Sequence, residues 1–147
     1  MLELGKDTKI SIAITSADGV AGTEDINGAT LDMQGFENVM AIVTFGVITG
    51  SAVTSIKMQQ DTDSAMGTAA DLLGTAQTVA DTDGEKTFYI DLVKPQERYV
   101  RLVVDRATQN AVVASATYLQ YNGVKAPSTH GTNVSGETHI SPIEGTA

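Results

Sequence analysis

FENVMAIVTFGVITG, Phe36 to Gly50, sets the class of fold open to this chain. Val39, Ala41, Val43 and Phe45 alternate with Met40, Ile42 and Thr44, so both faces of an extended segment are mostly apolar. The run is rich in β-branched residues and bounded by Gly35 and Gly50, which predicts a strand buried on both sides.

Partner strands are legible around it. Ile10, Ile12 and Ile14 alternate with Ser11, Ala13 and Thr15, and Ile56 and Met58 with Ser55, Lys57 and Gln59. Period-2 patterns recur from Phe88 to Leu92, from Val100 to Asp105 and from Val112 to Tyr121. Asp18-Gly19, Asn27-Gly28 and Asp83-Gly84 are turn pairs, and Pro95 falls between strands, where a missing N–H does no harm. Residues 61–86 are open to a loop with either a helical turn or a short strand at Ala69 to Leu73. No helix of useful length is visible. These signals predict an all-β, antiparallel sandwich of jelly-roll type, with Ile12, Val43, Ile56, Met58, Ile90, Leu102 and Val104 in its core.

The expected organisation is one module over residues 1–121, with a short arm at 1–9, and an extended C-terminal arm at 122–147. The arm is rich in Gly, Ser, Thr and Pro. Its spaced apolar residues Val124, Val134, Ile140 and Ile143 cannot form a core, yet Pro127 and Pro142 favour extended conformations. It is expected to lie across a neighbouring subunit or the lattice of a larger assembly, with contacts from these residues and from Leu2 and Leu4. Burial of Ile140 and Ile143 would contribute roughly 3–6 kcal/mol before ordering costs.

The 147 residues carry a net charge of −9, and such a surface repels phosphate backbones. Arg98, Arg101 and Arg106 read as arginines on the solvent side of a strand, without the aromatic partners of a nucleic-acid site. The chain has no Cys, which excludes disulfides and thiolate chemistry. No apolar stretch approaches a bilayer span and the first residues lack a signal-like run, so synthesis in a cytoplasm is expected, with no membrane partner.

Catalytic signals are weak. The Asp61/Asp63 and Asp81/Asp83 segments resemble calcium loops but lack the later ligands, and read as turns. His130 and His139, with Glu137 near, sit on the polar arm without a rigid second shell. Ser and Thr occur in no GxSxG setting and no phosphate loop is present. No enzyme, metal, cofactor or small-molecule substrate is expected.

Three stretches together carry a family resemblance: LDMQGFENVMAIVTFGVIT (31–49) with IKMQQDTDSAMGTAADLLG (56–74), KPQERYVRLVVDRATQNAVVASATYLQYNG (94–123), and KAPSTHGTNVSGETHISPIEGTA (125–147). In that order they resemble the decoration, or cement, proteins of tailed-bacteriophage heads. Met66 departs from the pattern, standing where an aromatic is expected. The resemblance implies a virion protein on the outer capsid surface, bound to the major capsid protein and to itself as a homo-oligomer, with a trimer the expected form. The rival readings are a carbohydrate-binding, adhesin-like sandwich, for which Tyr89, Tyr99, Tyr118 and Tyr121 are the available aromatics, and a small tail or neck protein.

Overall fold

The computed structural model describes residues 3–146. After one helical turn, α1 (Leu4–Asp7), the chain forms ten strands: β1 (Lys9–Ile14), β2 (Ile26–Asn27), β3 (Leu31–Asp32), β4 (Phe36–Ile48), β5 (Val53–Asp61), β6 (Ala70–Asp71), β7 (Gln77–Val79), β8 (Thr87–Val93), β9 (Tyr99–Ala107) and β10 (Ala111–Gly123). One sheet has the order β1-β10-β4-β8. The other has β9 and β5 at its centre, flanked by β2 and β3 on one side and β6 and β7 on the other. Every pairing is antiparallel. The fold is the expected all-β sandwich.

The long strands β4, β5, β8, β9 and β10 alternate between the two sheets, so each connection among them crosses an end of the sandwich. Their inward residues meet between the layers. Val39, Val43, Phe45, Ile56, Met58, Leu102, Val104, Val113 and Tyr118 are all buried, as is Ile90 at the edge. The outer residues of β4, Met40, Ile42 and Thr44, are only half-buried. The central strand is therefore dry on one face and partly wet on the other, because among the described residues no layer packs over the outer face of the four-stranded sheet.

Ile12 is the expected core residue that the structure moves. It is 37% exposed, while Ala13 and Ile14 are buried. The register of β1 against β10 shifts between Ile12 and Ile14, and this irregularity turns Ile10 and Ile12 outward before Ile14 enters the core. The alternation of the sequence continues unbroken through the shift, so the pattern alone places Ile12 on the wrong face.

Arg106 also differs from its sequence reading. It lies on the inward side of β9 beyond Val104 and is buried. Its Nε donates to the Glu24 carbonyl at 2.7 Å, and its Nη1 donates to the Val20 and Ala111 carbonyls at 2.8 and 2.7 Å. Burial pushes its pKa down, against the pull of Asp25 and Glu24. The guanidinium thus closes one end of the sandwich by satisfying loop carbonyls, a task its five fixed donors suit.

Candidate functional site

The sheet's outer face and the C-terminal arm form one continuous surface. Cross-strand pairing aligns Ile12, Thr117, Ile42 and Tyr89 in one row and Ile10, Leu119, Met40 and Asp91 in the next. Paired residues share a face, so these rows give the sheet an apolar stripe toward solvent. Tyr89 is 61% exposed at its end. A groove of about 660 Å³ lies where this face meets α1, lined by Leu4, Met40, Leu119, Tyr121 and Lys125 among others.

Beside the groove the Tyr121 hydroxyl donates to Asp91 Oδ1 at 2.6 Å. That bond to the carboxylate, with some burial, pushes the phenol up to about 12. Tyr118, by contrast, points into the core and is buried. Tyr89 is thus the strongly exposed ring of the four tyrosines.

The arm begins beside this groove, which Lys125 and Ala126 help to line. Val124 N donates to the Gly35 carbonyl at 3.0 Å, but its side chain is exposed. Ser128 N then donates to the Lys6 carbonyl at 2.7 Å and Gly131 N to the Ile10 carbonyl at 2.8 Å. Between them His130 Nδ1 accepts from Ile10 N at 3.0 Å, and its Nε2 lies 2.9 Å from the Gly5 carbonyl. Accepting at Nδ1 leaves the proton on Nε2, which donates to Gly5. The arm therefore runs parallel to residues 5–10 and covers the free edge of β1. A Cβ on Gly131 would sit 3.2 Å from Ser11 Cβ and 3.3 Å from the Ile10 carbonyl, so glycine lets the two backbones approach.

Beyond this anchor the arm touches the module again at Thr138, whose Oγ1 would lie 2.7 Å from a Cβ on Gly5, while its large apolar side chains stay outside. Val134 is half-buried and closes a turn on the Gly131 carbonyl, whereas Ile140 and Ile143 are 86% and 95% exposed. Pro127 and Pro142 are exposed too, and Leu2 lies outside the described residues. Of the residues expected at an interface, the structure brings Leu4 close to the start of the arm, where Lys125 and Ala126 line the same groove. Among the described residues it leaves Ile140, Pro142 and Ile143 exposed. The role of His130 as a clasp escapes the sequence, since its partners are backbone groups about 120 residues away.

The acidic loops are built as turns. Asp61 is buried and accepts from Asp63 N, Thr68 N and Thr68 Oγ1, and these bonds, the Asp63 amide first, hold its carboxyl below the usual range. Met66 is buried beneath the same loop in a left-handed conformation, φ 55°. Asp83 binds Lys86, and Asp81 accepts from Ser51 N at 2.6 Å. Among the described residues no three His, Asp or Glu side chains gather in a metal-binding group. His139 and Glu137 sit 3.5 Å apart, both exposed. Arg98 forms a two-point pair with Asp32 and a bond to Gln34, and Arg101 bonds Gln59.

No family model matches the chain, and no curated protein matches it. Among solved structures it is similar to the PBSX exported protein XepA, with a TM-score of 0.53 at 12% identity. The match covers 96% of this chain and 46% of that one, so the present chain spans about half the length of its neighbour. The likeness extends over the sandwich as a whole and shows a shared fold. No helix among the described residues is long and apolar enough to cross a membrane.

Proposed function

We propose that the chain is a structural protein of a tailed-phage particle, acting by adhesion and without catalysis. Its finer role on this reading is decoration of the head: the module sits on the outer capsid surface, held by the major capsid protein and by neighbouring copies. The observation that carries the reading is the half-anchored arm. Residues 128–131 are bonded to the module while Ile140 and Ile143 stand in solvent, an arrangement that costs exposure unless another surface covers them. The fold shared with the phage-related PBSX exported protein XepA supports a phage setting. The acidic surface suits a position away from packaged DNA.

The test is location and lifetime. Particles should carry this chain on heads rather than on tails, and heads lacking it should release DNA sooner on heating. Its presence on tails alone would move it to the tail or neck reading. A second reading, glycan binding, draws on exposed Tyr89 beside Asp91, a ring-and-carboxylate pair of the kind that sugars stack on. Binding on a glycan array that is lost in Tyr89→Ala would favour it.

A further inference from the structure

The two sheets guard their edges unequally. In the six-stranded sheet each edge is broken into segments of two or three residues, which blunts it as a template. In the four-stranded sheet the β1 edge is bonded at Ile10 by residues 130 and 131 of the arm. The β8 edge is different. Seven residues long, it pairs only with β4 among the described residues.

Its geometry fixes which groups are on offer. Lys86 O accepts from Phe45 N and Lys94 N donates to Glu37 O, so the even-numbered residues of this strand turn their backbone groups toward β4. Thr87, Tyr89, Asp91 and Val93 therefore turn theirs away. The Tyr89 carbonyl accepts from the side-chain amide Nε2 of Gln77 at 2.8 Å, a donor standing where the N–H of a further strand would lie. A groove of about 570 Å³ runs along this edge between Thr87–Asp91 and Gly74–Gln77, and fully exposed Leu73 adjoins it.

The exposed end of the arm, held to its own chain at Thr138 beside Gly5 and having to leave that contact on docking, has matching features. The geometry points to residues 137–143 of one copy adding as an antiparallel strand to the β8 edge of a second copy, with Ser141 opposite Tyr89. Three observations select this occupant and register. Pro142 lacks an N–H, so its backbone must face away from β8, which leaves His139, Ser141 and Ile143 as the bonding residues. His139 then falls opposite Asp91, placing an imidazole donor beside a carboxylate acceptor, and Glu137 falls opposite Val93 beside exposed Lys94, a pair of opposite charge. Ile140 falls on the inward face, against the half-buried Phe88 and Leu92 that border the core. Each copy donates one arm and accepts one, so both ends are satisfied only in a closed assembly, a reciprocal pair or a ring. The inference concerns purified protein and does not depend on the virion reading.

A cross-link tests the register directly, because the chain has no native Cys. Directly opposed residues of this kind lie about 5.5 Å apart at Cα, within disulfide reach. Full-length protein carrying Tyr89→Cys and Ser141→Cys should oxidise to covalent dimers and larger species, while neither single variant passes beyond a dimer. A double variant that stays uncrosslinked, or that closes within one chain, overturns the proposal. Sedimentation gives the second readout. Lys94→Glu should weaken self-association severalfold, and adding Glu137→Lys should restore it. Wild-type protein that sediments as a monomer at every concentration also overturns it.

Discussion

The Tyr118 hydroxyl of β10 accepts a hydrogen bond from the Leu102 amide of β9 at 2.8 Å, joining the two sheets through the middle of the core. Leu102 sits where the edge beside β9 is interrupted: β2 pairs at residues 103–104 and β3 at 99–100. In the gap Gly28 N donates to the Leu102 carbonyl, Ala29 N donates to the Ala13 carbonyl, and the Tyr118 hydroxyl donates onward to Ala29 O at 2.8 Å. A Cβ on Gly28 would lie 2.8 Å from the Leu102 carbonyl and 3.0 Å from the phenol oxygen, so no larger residue fits there. Burial pushes the phenol's pKa well up, which keeps it a donor across all ordinary pH.

Tyr118→Phe should keep the fold but leave the Leu102 amide buried without a partner. The expected loss is about 1–3 kcal/mol, read from urea unfolding at unchanged m-value.

Arg106→Met retains the aliphatic stem and removes three donors from the closed end of the sandwich. Stability should fall by on the order of 3 kcal/mol, and the loop at residues 20–25 should lose amide protection in hydrogen exchange. Arg106→Lys should recover little, since an ammonium lacks the planar fork.

Tyr121 gives an alkaline signature. Its folded pKa is raised from 10.0 to about 12 by the bond to Asp91, so the fold prefers the protonated phenol. That contribution is complete below pH 10.0 and is lost as pH rises toward about 12. The Tyr121→Phe variant should lose less stability than wild type over that window, by no more than about 1 kcal/mol because solvent screens the pair. Urea midpoints measured at both ends of the window check it.

The long strands were legible because an extended chain with one dry face imposes a period of two. Val53–Asp61, Thr87–Val93, Tyr99–Ala107 and Ala111–Gly123 show it, whereas Phe36–Ile48 is apolar at both parities, which marks a strand but wrongly predicts burial of its half-wet outer face. Segments of two residues, Ile26–Asn27 and Ala70–Asp71, are too short to hold a period. The irregularity at Ile12/Ile14 was invisible because Ser-Ile-Ala-Ile alternates whichever face it shows. Arg106 misleads because its partners are backbone carbonyls, two in a loop far away in sequence and one at the start of β10, and a backbone carbonyl leaves no mark on composition. For the arm, spacing and proline content told of extension, while the anchor through His130 and Gly131 depends on which edge lay bare.

Two truncations separate the halves of the arm. Ending the chain after Val134 should leave the stability of the module unchanged and abolish self-association. Ending it after Gly123 removes the cover of β1 and should cost about 1–3 kcal/mol more, with a rise in aggregation, since an uncovered edge recruits other chains. Urea unfolding and light scattering on both proteins check this.

The clasp between residues 5–10 and 128–131 also orders events in time. A ribosome presents β1 more than one hundred residues before it presents β10 and the arm, the two neighbours between which β1 is held. During elongation that strand has nowhere to go. The sandwich can close only once residues 111–131 have emerged, with the earliest strand seated among later ones, and a nascent chain stalled before Ala111 should leave residues 9–14 open to protease.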